Sequence, residues 1–285
     1  MKISVLIVAL LISFGTTCAQ LLLPDATLKK QWETGPGLKV PESVLFDSVS
    51  GIIYVSNVAG KPAEKDSTGF ISTLSADGTI LKTEWVKGID APKGMGIFNN
   101  HLFVSNIDEV VEIDISTATI VNRMAVEGSK FLNDIAVDPK TGLIFITDSG
   151  NGQVYILLNG AASLWLEGPL FKGANGLFLK NDMLYIGASN NILQADVKSG
   201  EVMVCLPNSG EVDGLYFTSE NKFIFSDWKG SVFIAGKRQK PQLLLNTSQQ
   251  KINAADFGVI LSKNMILIPT FGNNKVMSYT STVIK

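Results

Sequence analysis

The sequence predicts an all-β fold, a six-bladed β-propeller with four strands in each blade. Two observations carry the prediction. A pair of short apolar strands joined by a polar turn occurs six times, and its second residue recurs at intervals of 51, 40, 42, 38 and 43 residues. A repeat of about 40 residues with four strands is the period of a propeller blade. No amphipathic helix of ten or more residues appears after the leader, which argues against α/β architectures.

The copies run in order. PESVLFDSVSGIIYVSN occupies residues 41–57, PKGMGIFNNHLFVSN residues 92–106 and LNDIAVDPKTGLIFITD residues 132–148. ANGLFLKNDMLYIGA occupies residues 174–188, VDGLYFTSENKFIFSD residues 212–227 and ADFGVILSKNMILIPT residues 255–270. Each is rich in Ile, Val, Leu, Phe and Tyr on both sides of a turn of Asp, Asn, Lys and Ser, as strands and turns require. Residues 111–115 and 154–158 read as third strands, and residues 161–166 as a weaker outer strand. A ring of blades leaves one seam. Trp32, on a candidate strand over residues 28–34, is placed to pair near residues 275–280 and close the ring.

The ends and the charge bound the rest. Residues 1–19 form a signal-peptide pattern: Lys2, an apolar run over residues 3–14, and Thr17-Cys18-Ala19 as the cleavage site before Gln20. An uncleaved anchor and a lipoprotein attached at Cys18 are the weaker alternatives. Residues 20–285 then form one propeller domain, exported to a periplasm or secreted. Cys205 is its single cysteine, so it holds no internal disulfide. No second apolar stretch is long enough to span a membrane. With 24 basic and 26 acidic residues and no basic run, a nucleic-acid surface has no electrostatic support.

The second residues of the six copies form one column: Glu42, Lys93, Asn133, Asn175, Asp213 and Asp256. In a propeller the innermost strands line the central channel, so these positions face one mouth. Turn chemistry explains any one Asn or Asp, but it explains six polar residues in register poorly, and Glu42 worst of all. Three carboxylates around one axis repel when ionised. Lys93 offsets one charge, and a divalent cation held by carboxylate and amide oxygens offsets more. A second column, at the ends of the second strands, reads Asn57, Asn106, Asp148, Ala188, Asp227 and Thr270; loop fastening is its expected role. Asp134, beside Asn133, is expected to face away and bind turn backbone.

PESVLFD, LNDIAVDPKTG, ANGL and VDGL, in this order and in these blades, make the chain resemble the senescence marker protein, gluconolactonase and luciferin-regenerating-enzyme family over its whole mature length. The resemblance implies a six-bladed propeller with a divalent cation in the channel, calcium first, with zinc, magnesium or manganese as alternatives. It implies hydrolysis of lactones, and for some members phosphotriesters. It places the family's metal ligands on Glu42, Asn175 and Asp213, and its substrate- or metal-contacting Asn on Asn133. Two departures stand out. Pro41-Glu42-Ser43-Val44 replaces an EGP-type motif, and Phe131 stands where the family often carries an Arg that grips a sugar acid.

The expected function is metal-assisted hydrolysis of a lactone or related ester, a small-molecule substrate. Asp213 or Asp256 serves as general base, and Lys93 and Asn133 position the substrate or stabilise the oxyanion. The rival class is a non-catalytic propeller presenting a polar or metal-filled mouth to a partner. His101, the single histidine, reads as a surface turn residue, and no G-x-S-x-G, Walker-type or dinucleotide glycine motif occurs. Cys205 reads as a small buried hydrophobe.

Overall fold

The computed structural model describes residues 28–284; the leader, its cleavage site and Cys18 lie outside the described residues. The first described strand is β1 (Lys29–Glu33). Blade one follows as β2 (Pro41–Phe46), β3 (Ile52–Asn57), β4 (Gly69–Ser75) and β5 (Ile80–Ile89). Blade two is β6 (Pro92–Phe98), β7 (His101–Asn106), β8 (Glu109–Asp114) and β9 (Thr119–Ala125). Blade three is β10 (Leu132–Val137), β11 (Ile144–Asp148), β12 (Gln153–Leu158) and β13 (Ala161–Glu167). Blade four is β14 (Leu177–Lys180), β15 (Met183–Ala188), β16 (Asn191–Asp196) and β17 (Val202–Pro207). Blade five is β18 (Leu215–Phe217), β19 (Lys222–Ser226), β20 (Ser231–Gly236) and β21 (Gln242–Asn246). Blade six holds β22 (Gly258–Ile260), β23 (Met265–Pro269) and β24 (Val276–Thr280).

Each blade is an antiparallel four-stranded sheet in chain order, except that the outer strand of blade six is β1. Trp32 pairs with Ser278 and Lys29 with Thr280, so the N-terminal strand closes the ring as its position in the sequence predicts. Thr34 extends the seam: its N–H donates to Val276 O at 3.0 Å, and its Oγ1 accepts the Val276 N–H at 3.1 Å. The only helical segments among the described residues are four three-residue 3₁₀ turns.

The core lies between blades. Residues that alternate along a strand point to opposite faces, so each blade contributes to two apolar layers. Phe145 and Val154 of blade three pack with Leu184, Ile186 and Leu193 of blade four. Tyr185 and Cys205 of blade four pack with Phe217, Phe223 and Phe225 of blade five. The layer across the seam joins Val55 and Leu74 to Leu267 and Val276. Near the axis the inner strands approach closely. A Cβ on Gly176 would lie 2.2 Å from the Asp213 carbonyl oxygen, and one on Gly94 would lie 2.5 Å from the Asp134 Cα. The residue following Asn175, and that following Lys93, must therefore be glycine.

Candidate functional site

The column residues of blades one to three stand on β-bulges. Pro41 pairs with Asn57 and Ser43 with Ser56, leaving Glu42 without a partner residue. Likewise the register jumps from Pro92 to Met95 and from Leu132 to Ile135. A bulge inserts residues and re-aims side chains. In blades four to six, Asn175, Asp213 and Asp256 precede the first residues of the inner strands. Hydroxyls of the second strands take up amides that this geometry frees. Ser56 Oγ accepts the Ser43 N–H at 2.9 Å, Thr147 Oγ1 that of Asp134 at 3.0 Å and Ser226 Oγ that of Gly214 at 2.8 Å. Ser226 Oγ also donates to Ala255 O of the next blade at 2.9 Å. These hydroxyls were not singled out in the sequence, although each directly precedes a residue of the second column.

Glu42, Lys93, Asn133, Asn175 and Asp213 come together on one cavity of about 410 Å³ at one mouth of the channel. Its wall includes Val58, Pro62, Phe131, Trp228 and Phe271. Asp256 does not join them. It lines a separate cavity of about 320 Å³, built from the inner strands on the other side of the throat, together with Asp134. Two interactions draw it there: Ser43 Oγ donates to Asp256 Oδ2 at 2.5 Å, and the Asp256 N–H donates to Glu42 O at 3.1 Å. Asp134 also departs from expectation. It does not bind turn backbone; its oxygens accept the Ile135 N–H and, from blade four, the Leu177 N–H, both at 2.6 Å. The bulge at Asn133-Asp134 breaks the simple alternation that placed Asp134 outward.

The mouth contains three buried acceptors with no hydrogen-bond donor: Glu42 Oε2, Asn175 Oδ1 and Asp213 Oδ2. At the same corner Asn175 Nδ2 donates to Asp213 Oδ1 at 2.7 Å. An unmatched buried acceptor is costly, and three from blades one, four and five that line one cavity suit a hard cation. The donor set is two carboxylates and an amide; among the described residues no three acidic, histidine or cysteine side chains converge as a metal cluster. Asn133 stands beside this set, its Nδ2 donating to Ser149 Oγ at 3.2 Å.

Burial dominates the electrostatics. It holds the Glu42 carboxyl well above the usual carboxylate range, aided by the charges of Asp213 and Asp256 and opposed by Lys93. Burial pushes Asp213 up to about 7, against the hydrogen bond from Asn175. Burial pushes Asp134 to about 8 and raises Asp256 well above its ordinary value. Lys93 is only 1% exposed. Burial draws its ammonium down to about 8, opposed by Glu42. Its Nζ donates to Pro62 O and Ala91 O, both at 3.1 Å, and sits 4.3 Å from the centre of the Phe131 ring. Phe131 thus covers the one cationic side chain that lines the mouth among the described residues.

The second column fastens loops. Asp148 accepts the N–H groups of Lys130, Phe131, Gly150 and Asn151. Asn57 Oδ1 accepts the Lys39 N–H, Asn106 Oδ1 that of Ala91, and Thr270 Oγ1 that of Lys275. Asp227 does more than fasten: one oxygen accepts the Ser231 N–H, and the residue lines the mouth cavity. His101 is the first residue of β7 rather than a turn residue, with its Nδ1 2.7 Å from Glu112 Oε1. Cys205 is buried, and burial raises its thiol.

No family model matches the chain, and no curated protein sequence matches it. Solved structures do. A chain of a nidogen/laminin complex superposes with a TM-score of 0.59 at 16% identity, covering 70% of this chain and 76% of that one. The WD40 β-propeller domain of Doa1 superposes with a TM-score of 0.64 at 12% identity, covering 84% of this chain and 78% of that one. At such identities the likeness establishes the propeller fold alone.

Proposed function

We propose that this propeller is an exported, metal-dependent hydrolase of a lactone or related ester. The observation that carries the reading is the trio of buried, unmatched oxygens on Glu42, Asn175 and Asp213. These three residues would hold a divalent cation, calcium first, with Asn133 beside them. When bound, the cation supplies Lewis-acid polarisation of the substrate carbonyl and lowers the pKa of water.

The chain's own groups do the rest. The Asn175 amide orients Asp213 through its 2.7 Å hydrogen bond. Asn133 offers its amide to the polar end of the substrate. A carboxylate committed to a cation is a weak base, and Asp256 lies across the throat. Asp227 lines the same cavity with one oxygen tied to Ser231 N–H, and its other oxygen takes the proton of the attacking water. Lys93 balances charge from beneath Phe131. Export rests on the leader pattern over residues 1–19.

Calorimetry with calcium chloride on chelator-treated protein, paired with turnover of a lactone and aryl-ester panel, tests the reading. Asp213→Ala should abolish cation binding and hydrolysis together. Asp227→Asn should keep the cation and lower kcat by about 10²-fold or more, the usual contribution of a general base. Cation-loaded protein that turns over nothing in the panel would leave the mouth as a binding site and end the hydrolase reading.

A further inference from the structure

In five of the six blades the residue after the second-column position lines the mouth, and these residues divide the cavity wall in two. Blades three and four supply hydroxyls, Ser149 and Ser189. Blades one, five and six supply Val58, Trp228 and Phe271. Trp228 and Phe271 meet edge to face with ring centres 5.5 Å apart. Both hold left-handed backbones, at φ 57° and 44°, a conformation that bulky side chains rarely adopt. Hydrogen bonds enforce it: the Ala254 N–H and Asn253 Nδ2 donate to Trp228 O, and the Asn274 N–H donates to Phe271 O. Trp228 nevertheless remains 44% exposed. A large aromatic held in a strained backbone and left open to solvent is costly to the folded chain unless something binds against it.

The rest of the wall agrees. Lys93 has two of its three N–H groups committed to carbonyls and a ring over its ammonium. A substrate carboxylate entering the mouth therefore meets acidic side chains and, among the described lining residues, one cationic group with most of its N–H groups already committed and a ring against it. Resting on the hydrolase reading above, we propose that the mouth takes an uncharged lactone or ester bearing a flat apolar substituent. The substituent lies against Trp228, Phe271 and Val58, and the carbonyl end faces Glu42, Asn175 and Asp213. A cavity of about 410 Å³ has room for such a molecule.

The test separates this inference from the hydrolase reading. Binding is read by calorimetry with 5-phenyl-2-pyrrolidinone, a lactam analogue. Turnover is read with γ-phenyl-γ-butyrolactone and glucono-δ-lactone. The variants are Trp228→Asn and Phe271→Asn, since asparagine tolerates the left-handed backbone, with the thermal midpoint as a check on folding. The phenyl lactone should exceed gluconolactone in kcat/KM by at least about tenfold. Each variant should weaken lactam binding by about three- to tenfold, the range of one aromatic contact. Preference for gluconolactone, or lactam affinity indifferent to both substitutions, overturns the inference. Lactam binding that depends on Trp228 without turnover of either lactone upholds the apolar subsite and overturns only the hydrolase reading.

Discussion

Raising the pH of the metal-free protein from about 4.5 to 7.5 should destabilise it, against the trend of ordinary carboxylates. Asp213 is fully buried, and its pKa rises from 3.8 to about 7 on folding. A group raised in the folded state gives its full contribution below the unfolded pKa, and that contribution is lost as pH climbs through the folded value. Carrying this carboxyl from 3.8 to about 7 corresponds to about 4 kcal/mol, lost between roughly pH 4 and pH 7. Glu42, Asp134 and Asp256 are raised as well. They share one throat and titrate together, so Asp213 alone sets the scale. Carboxyls lowered by hydrogen bonds and lysines, such as Glu33 at about 2, begin to lose their contribution only as pH falls through about 4.5, at the lower edge of this window. The assay is urea denaturation at several pH values, with chelator and with calcium chloride. The cation should restore little at pH 4.5 and most at pH 7.5, because it replaces protons. A metal-free protein whose stability is flat or rising from pH 4.5 to 7.5 would refute the reasoning.

Three further outcomes are expected. Gly176→Ala drives a methyl into the Asp213 carbonyl and should cost about 1–3 kcal/mol in urea while weakening cation affinity at least about tenfold. Asp148→Ala strips the acceptor from four backbone amides and should cost about 2–4 kcal/mol, yet calorimetry should find cation affinity within about twofold of the parent. Lys93→Met leaves the Pro62 and Ala91 carbonyls without their donor, at about 1–3 kcal/mol. It should also shift the onset of calcium stabilisation to higher pH, because Glu42 loses the positive neighbour that opposes its protonation.

The fold was legible because its signal is periodic: six apolar pairs, with Trp32 upstream to close the ring. Five of the six column residues were legible too, because a polar residue at the start of an apolar strand stands out. What stayed hidden depends on register. The bulges that aim Glu42, Lys93 and Asn133 are set by pairing across the blade, and their Ser and Thr partners look like ordinary strand residues. The same slip sends Asp134 to the throat, where simple alternation pointed it away. Asp256 is drawn to the opposite cavity by Ser43 of blade one, a partner some two hundred residues distant in sequence. Trp228 and Phe271 carry no turn signature, since neither is the glycine or asparagine that a left-handed backbone usually selects. Nor did the sequence reveal that Lys93 is covered by Phe131.

The closing strand also has a kinetic meaning. Lys29 and Thr280 are 251 residues apart (280 − 29), whereas Ile144 and Leu157 within blade three are 13 apart (157 − 144). With loop-closure entropy growing as (3/2)RT ln n, the seam costs about 5 kcal/mol to close and a hairpin about 2. Blades one to five can therefore complete themselves locally, while β24 keeps an open edge until β1 arrives. The seam joins blade six to blade one, where the Asp256 N–H meets Glu42 O. Glu42 thus stands at the contact whose closure spans the most chain, and the pairing of β1 with β24 carries the largest entropic cost of the ring.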